Sequence, residues 1–149
     1  MSVRVRPVTP ADTAEWLRMR HALWPDVSND HALEIEGFFA GRLREPLAVL
    51  FAVDEHDRPL GFAELNIRTY AEDCDTDRVA YLEGWYVEPS ARRHGVGGAL
   101  VAAAEDWGRA QGCTEFASDA LLDNAVSAAA HLALGFEETV LLRCFKKRL

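Results

Sequence analysis

The sequence predicts an α/β fold with a mixed, mostly antiparallel central sheet and helices on both faces. Residues 47–53 and 60–67 are apolar segments joined by a short polar connection, which predicts an antiparallel hairpin. Residues 79–87 form another apolar segment, and a helical pattern over 96–111 separates it from a short strand at 116–119. Because a crossover helix joins neighbouring parallel strands and covers a face of the sheet, both kinds of pairing are expected in one sheet.

The N-terminal part predicts one strand and two helices. Residues 3–7 alternate valine with arginine and proline, as strands do, and Thr9 and Pro10 supply a helix N-cap and a first-turn proline. Side chains at helical spacing indicate the first helix up to Pro25: Trp16, Leu17, Arg20, Leu23 and Trp24. Residues 25–29 are expected to form a loop. The second helix, over 30–43, would place these side chains inward: Ile35, Phe38, Phe39 and Leu43.

The remaining elements alternate with polar loops. Residues 70–78 are acidic and predict an irregular, solvated loop. Gly112 closes the helix over 96–111, and Gly135 ends an alanine-rich helix over 124–134. Residues 140–145 predict a last strand before a basic end at 146–148.

Length and composition indicate one globular domain over residues 1–149. With 149 residues of which 49% are hydrophobic, the chain can bury a stable core without disulfide bonds or a structural metal. It contains no apolar run of membrane-spanning length and no secretory signal at its start, so a cytoplasmic protein is expected. The three cysteines, Cys74, Cys113 and Cys144, are widely spaced without a paired ligand pattern, which indicates free thiols and no metal site.

The charge balance bears on partners. A formal net charge of -8 argues against nucleic acid and anionic membranes, which both reward cationic surfaces. A cationic small molecule fits better, although moderately acidic proteins are common.

A strand runs through a glycine turn into a helix at residues 81–100, and this segment carries most of the functional information. Gly95, Gly97 and Gly98 let backbone approach a ligand, and the first-turn N–H groups of a helix lack internal partners and attract anions. The spacing Arg-x-x-Gly-x-Gly is neither a nucleoside triphosphate loop nor a dinucleotide fingerprint. By itself this spacing fits a pyrophosphate site or an ordinary strand-to-helix turn, and we predict the pyrophosphate site.

This segment resembles the acetyl-coenzyme A (acetyl-CoA) loop of the GCN5-related N-acetyltransferases (GNAT). A second motif of that superfamily follows at the expected distance: Asn124, Ser127, His131, Gly135 and Phe136. The resemblance implies the GNAT fold, acetyl-CoA as co-substrate, and a sheet splayed where the pantetheine arm binds.

The resemblance extends to the aminoglycoside 6′-N-acetyltransferases over nearly the whole chain. It lies in residues 23–25, 61–68, 81–87, 112–119 and 133–139. Four residues match positions that line the aminoglycoside site in that family: Trp24, Tyr70, Glu83 and Asp119. Others match positions that hold acetyl-CoA, with Arg92 as a flanking charge: Trp85, Tyr86, Val87, Arg92, Arg93, His94, Gly95, Val96, Gly97, Gly98 and Asn124.

The chain departs from the family pattern at two positions. Val140 stands where some relatives have a further acidic residue, and His131 replaces the tyrosine that usually acts as acid toward the leaving thiolate. For His131, a place on a helix face without a ligand role is the favoured interpretation.

Acetyl transfer needs a neutral amine, a stabilised oxyanion and a tolerable leaving group. Asp119 is the candidate base, with a local strand-end contact as its alternative. Glu83 is a candidate for binding and catalysis, and its alternatives are exposure to solvent or an ion pair with Arg68 or Arg78. Trp24 fits a sugar-binding wall or the core. Backbone N–H groups near residues 85–87 are the candidate oxyanion donors.

Three functional hypotheses remain open at this point. The first is an aminoglycoside 6′-N-acetyltransferase that confers antibiotic resistance, and the second is a GNAT enzyme acting on another small-molecule or protein amine. The third is a non-catalytic acyl-CoA-binding module. The resemblance also implies a homodimer.

Overall fold

The computed structural model describes residues 2–25 and 30–149 and centres on one five-stranded sheet. Its strands lie side by side in chain order: β1 (Arg4–Pro7), β2 (Ala48–Val53), β3 (Pro59–Arg68), β4 (Val79–Val87) and β5 (Phe116–Ser118). β1 to β4 pair antiparallel, and β5 is parallel to β4. The predicted mixed, mostly antiparallel sheet is confirmed.

Helices cover both faces of the sheet, as predicted. On one face, α1 (Thr13–Leu23) and α2 (His31–Phe39) pack against the sheet around buried side chains: Trp16, Met19, Ile35, Phe51 and Phe62. On the other face, α3 (Val96–Ala110) packs through Leu100, Val101 and Ala104 against strand residues such as Leu65 and Leu82. α4 (Ala125–Ala133) follows β5, and Leu134 beyond it approaches Gly98 of α3.

A bulge in β4 changes which side chains face which helices. Glu64 pairs with Gly84 and Leu65 pairs with Leu82, so Glu83 is an extra residue without a partner in β3. Leu82 and Trp85 both belong to the core beneath α3, although an unbroken alternation would place them on opposite faces.

β5 accompanies β4 over part of its length only. The register joins Ala80 to Phe116, Tyr81 to Ala117 and Leu82 to Ser118, and the pairing ends there. The remainder of β4, from Glu83 to Val87, continues alone on this side. The predicted splayed sheet is therefore present at the point where the chain also bulges.

The predicted last strand at residues 140–145 is wrong for the single chain. Residues 136–149 form no helix or strand, and four of the apolar side chains are exposed by 48% (Val140), 69% (Leu141), 63% (Leu142) and 90% (Phe145). An apolar alternation forms a strand only where a free edge accepts its hydrogen bonds, and this segment pairs with no edge of its own sheet.

The predicted ends of two helices also differ from the ends in the structure. The helix predicted over 30–43 ends at Phe39, because Gly41 takes a left-handed conformation (φ 69°) and the Arg42 N–H bonds to the Gly37 carbonyl at 2.9 Å. The first helix ends at Leu23, which leaves Trp24 as its C-cap. The loop predicted at 25–29 lies outside the described residues except for Pro25.

The state of the cysteines and the length of the helices also bear on the sequence analysis. All three cysteines are unpaired thiols, as predicted. Among the described residues, no helix is both long enough and apolar enough to cross a membrane.

Candidate active site

An acidic cluster lies at the point where β5 leaves β4; we use this name for Arg68, Tyr81, Glu83 and Asp119. Glu83, in the bulge, receives two hydrogen bonds from the Arg68 guanidinium: Nε to Oε1 at 2.9 Å and Nη2 to Oε2 at 2.8 Å. This ion pair is one of the two alternatives given for Glu83 by the sequence. It raises the pKa of Arg68.

Tyr81 connects Asp119 to this ion pair. Its hydroxyl donates to Asp119 Oδ2 at 2.6 Å, and the guanidinium carbon of Arg68 lies 3.5 Å from the centre of the Tyr81 ring. Burial and the bond to Asp119 raise the pKa of the Tyr81 phenol well above its usual value. Glu83 and Asp119, which are far apart in sequence, therefore belong to one connected group of side chains.

The two aromatic candidates lie in different surroundings. Trp24 is half-buried, and a Cβ placed on Gly84 would lie 2.6 Å from its Cη2 atom, so the indole packs directly on β4 beside Glu83. Tyr70 is 68% exposed. It borders an open cavity of about 400 Å³ that is also lined by Arg68, the cation of the acidic cluster.

The glycine turn precedes α3 on the opposite face of the sheet. Gly95 is the N-cap of α3 with φ 79°, a left-handed conformation that glycine adopts without strain, and Arg93 before it has φ 66°. A Cβ on Gly95 would meet no atom within 4 Å. The first-turn N–H groups of α3 follow directly, which makes this end of the helix suited to phosphate.

Gly97 and Gly98 face protein atoms. A Cβ on Gly97 would lie 3.1 Å from Cζ2 of Trp85, and one on Gly98 would lie 3.4 Å from Leu134. Of the three glycines expected to open the backbone to a ligand, Gly95 alone has open space at its Cβ position. Gly97 allows close packing of α3 against Trp85 of β4, whereas a Cβ on Gly98 would make an ordinary van der Waals contact with Leu134.

Trp85 and His131 meet at the gap between β4 and β5. Their rings form an edge-to-face pair with centroids 5.1 Å apart, and Trp85 Nε1 is the one buried side-chain donor without a partner in the described part of the chain. His131 Nδ1 donates to the Ser127 carbonyl at 2.7 Å. Its Nε2 lies 2.8 Å from Oγ of Ser118, the last residue of β5 to pair with β4.

Several candidate residues for acetyl-CoA have side chains engaged elsewhere. The Tyr86 ring lies in the core beneath α1 and α2, so only its backbone faces the gap. Asn124 caps α4 by accepting a hydrogen bond from Ser127 N at 3.0 Å. In the turn, Arg92 Nε donates to the Val87 carbonyl at 3.1 Å, and His94 Nδ1 donates to the Arg92 carbonyl at 2.9 Å.

Sequence reasoning did not single out Tyr81 or a functional place for Arg68. A signal existed for Tyr81, because the parallel register of β4 and β5 brings residue 81 near the residues that follow 117. A regular alternation also places Tyr81 and Glu83 on one face of β4, but neither strand alone shows the pairing of β3 with β4 that brings Arg68 beside them.

Two chemically different regions therefore meet across β4. One face carries carboxylates suited to an ammonium group, and the other carries a helix N-terminus suited to phosphate. The strands part between them, so a thioester bound on one side lies within reach of an amine bound on the other. This arrangement supports transfer of an acyl group between two separately bound molecules.

The known proteins that this chain resembles are acetyltransferases. Residues 13–136 match the acetyltransferase (GNAT) family. The aminoglycoside N(6′)-acetyltransferase type 1 of Klebsiella aerogenes is 58% identical over 146 residues, which cover 97% of this chain and 96% of that protein. The protein of the same name from Stenotrophomonas maltophilia is 40% identical, with 91% and 86% covered.

Solved structures show the same relationship. AAC(6′)-Iy in complex with the bisubstrate analogue CoA-S-monomethyl-acetylneamine superposes with a TM-score of 0.90 at 35% identity, covering 100% of both chains. The aminoglycoside 6′-N-acetyltransferase AAC(6′)-Ih from Acinetobacter baumannii superposes with a TM-score of 0.89 at 36% identity, covering 99% of both.

Proposed function

Because the chain belongs to the GNAT acetyltransferases, and within them to the aminoglycoside 6′-N-acetyltransferases, we propose that it acetylates the 6′-amine of an aminoglycoside. Acetyl-CoA is the acetyl donor, and the product is an inactivated antibiotic. The observation that carries this proposal is the acidic cluster beside the gap in the sheet, opposite the N-terminus of α3.

Acetyl-CoA is assigned to the face of α3. Its pyrophosphate would accept hydrogen bonds from the turn before α3 and from the first-turn N–H groups, with Gly95 giving the turn its left-handed conformation. The exposed Arg92, Arg93 and His94 add donors nearby. The pantetheine arm would follow β4 past Trp85 into the gap, where the strand is no longer covered by β5.

The aminoglycoside is assigned to the opposite face. Its ammonium groups would be attracted by Glu83 and Asp119, while Trp24 and Tyr70 offer apolar surfaces to its rings. Arg68 already neutralises Glu83. The substrate therefore meets Asp119, the carboxylate of the cluster to which no cationic side chain of the described residues is bonded.

The reaction proceeds by direct attack of the neutral amine on the thioester carbonyl. Asp119, or a water bonded to it, accepts the proton that the amine must lose. Backbone N–H groups of β4 near residues 85–87 stabilise the oxyanion, and the C–S bond then breaks with its electron pair remaining on sulfur.

The test compares acceptors that differ at one atom. Free coenzyme A thiol is measured for pairs of aminoglycosides that carry either an amine or a hydroxyl at the 6′ position. We expect turnover of the 6′-amino compounds and binding without turnover of the 6′-hydroxyl compounds, because an alcohol is the poorer nucleophile toward a thioester.

The same assay separates the alternatives. Thiol release with other amines but with no aminoglycoside would contradict the proposed substrate while keeping the transferase. Heat protection by acetyl-CoA without thiol release for any amine would leave a binding module. Equal turnover of 6′-amino and 6′-hydroxyl compounds would contradict the assignment of the reacting atom.

We infer further that residues 1–149 act as one catalytic domain, that two copies associate, and that the enzyme works in the cytoplasm. The exposed apolar side chains of residues 140–149 and the single neighbour of β5 in the sheet support pairing between copies. Unpaired cysteines suit a reducing compartment. Sedimentation of the whole chain and of a chain truncated after residue 139 tests the association, which the truncation should abolish.

A further inference from the structure

Three polar side chains are buried between α1, α2 and β3, away from the acidic cluster. The exposed fractions are 5% for Arg20, 2% for His31 and 2% for Glu64. Burial of charged groups opposes folding, and well-packed apolar side chains of the same volume stabilise a core equally well or better. Such a group is therefore a candidate for a role in positioning.

Each of these three buried side chains has hydrogen-bond partners. Arg20 donates to both oxygens of Glu64, from Nε to Oε2 at 2.7 Å and from Nη2 to Oε1 at 3.0 Å, and Trp16 Nε1 also donates to Oε2 at 3.0 Å. The remaining Arg20 nitrogen, Nη1, donates to His31 Nδ1 at 3.1 Å and to Glu34. Arg20 is thereby held in one orientation.

The arginine fixes the tautomer of His31. A guanidinium group only donates hydrogen bonds, so Nδ1 of His31 is the acceptor and Nε2 carries the proton. Nε2 lies 3.2 Å from the backbone carbonyl of Trp24 and donates to it. A directed chain of hydrogen bonds thus runs from β3 through Arg20 and His31 to the residue at the end of α1.

The same group also contacts the Trp24 ring. His31 stacks on it with centroids 6.3 Å apart and planes at 17°, and the Arg20 guanidinium lies 5.2 Å from its centre. On its other side the ring packs on Gly84, next to Glu83 of the acidic cluster. Trp24 is therefore held between the buried group and the bulge of β4.

We propose that Arg20, His31 and Glu64 are positioning residues for the aminoglycoside site, acting through Trp24. A rigid aromatic wall binds a sugar ring with less loss of conformational entropy than a mobile one, and its position relative to Glu83 sets where the amine arrives. The inference rests on the proposed function, since it concerns the acceptor side of that site.

The test is a double-mutant cycle. His31→Phe keeps the ring but removes both hydrogen bonds, and we expect the KM for a 6′-amino aminoglycoside to rise about fivefold to tenfold, the usual effect of one hydrogen bond. The KM for acetyl-CoA and kcat should change by less than about twofold, a split that distinguishes positioning from general loss of fold. In a Trp24→Ala background, His31→Phe should have no further effect on the aminoglycoside KM.

Ile35→Ala is the matched control, because Ile35 is buried one turn further along α2 and makes no contact of this kind. It should lower the melting temperature without a selective rise in the aminoglycoside KM. If His31→Phe does not fold, His31→Leu replaces it, since an aliphatic side chain makes neither hydrogen bond.

An unchanged aminoglycoside KM in the folded His31 variant, or additive effects with Trp24→Ala, would overturn the proposal. These outcomes differ from failure of the proposed function, in which the wild-type chain itself releases no thiol with any aminoglycoside.

Discussion

Asp119 is the residue on which the proposed chemistry depends most. It follows β5 directly, and its single side-chain hydrogen bond in the described structure comes from Tyr81. We expect Asp119→Asn to lower kcat about a hundredfold or more, the usual contribution of a general base. The deficit should shrink as the pH rises, because more of the amine is already neutral.

The matched control is Asp123→Asn, which removes a carboxylate from the exposed segment a few residues further on. Thiol release measured from neutral to alkaline pH should show a normal profile for this variant. An Asp119→Asn enzyme with wild-type turnover at neutral pH would exclude Asp119 from proton transfer.

Tyr81 leads to a prediction for alkaline stability. Burial and the bond to Asp119 raise its pKa in the folded state, whereas a tyrosine in the unfolded chain ionises near pH 10. Between pH 10 and the raised value the unfolded state alone loses the proton, so the free energy of unfolding falls as the pH rises, by up to about 1.4 kcal/mol per pH unit.

Tyr81→Phe should lack this fall. Below pH 10 the variant should be less stable than wild type by about 1 kcal/mol, the value of a hydrogen bond, and the difference should narrow above pH 10. Urea unfolding at a series of pH values measures it, with the exposed Tyr70→Phe as control. A constant difference across this range would contradict the assigned environment of Tyr81.

At the residue scale, sequence patterns predicted the chemical types of the site better than their contacts. Glu83 and Asp119 were candidates because they match positions of the aminoglycoside site in the resembled family, and Glu83 also because a charge within an apolar strand needs a reason. Their connection through Arg68 and Tyr81 was not predictable, since it depends on how β3, β4 and β5 pair. The charges of Glu64 and Arg20 within apolar patterns carried a similar signal, and their pairing explains both.

The N-terminus of α3 gives a test at the scale of elements. Gly95 and Gly112 stand at its two ends with φ values of 79° and 81°, and a Cβ on either would meet no atom within 4 Å. Alanine at either position should therefore cost about 1 kcal/mol of stability through backbone strain alone. Only Gly95→Ala should also reduce the heat protection that acetyl-CoA provides.

Melting temperatures with and without acetyl-CoA measure this difference. At a concentration of one hundred times its Kd, a ligand stabilises the folded state by about 2.7 kcal/mol, so a weakened site is readily detected. Equal protection of both variants would move the phosphate site away from the turn.

The helices and strands were predictable wherever the local sequence pattern determines them. The hairpin of β2 and β3, the crossover helix and the parallel β5 follow from apolar periodicity and polar turns. The helix end at Gly41 was missed because its glycine was not read as a C-cap, and the strand at 140–145 was wrong because pairing is not a local property.

The whole molecule carries a formal net charge of -8, which bears on how the two substrates arrive. A polycationic aminoglycoside is attracted to such a protein, and added salt screens that attraction over distances beyond about 10 Å at 0.1 M ionic strength. The KM for the aminoglycoside should therefore rise with salt.

Acetyl-CoA provides an internal control, since it is an anion approaching an anionic protein. Its KM should change less across the same salt series, because salt screens both the attraction of Arg92 and Arg93 and the repulsion from the net negative charge. Steady-state kinetics from low to high ionic strength compare the two in one enzyme. An aminoglycoside KM that does not respond to salt would contradict electrostatic recognition.

The extra residue in β4 also limits how this chain tolerates change in its length. Inserting one residue in β4, or deleting one outside the bulge, would shift the alternation there and turn side chains such as Trp85 and Val87 from the face of α3 to the face of α1. Substitutions on either face can accumulate independently, whereas an insertion or deletion in this strand disrupts both faces at once. We therefore expect random libraries of active variants to contain many amino-acid replacements in β4 and almost no changes in its length.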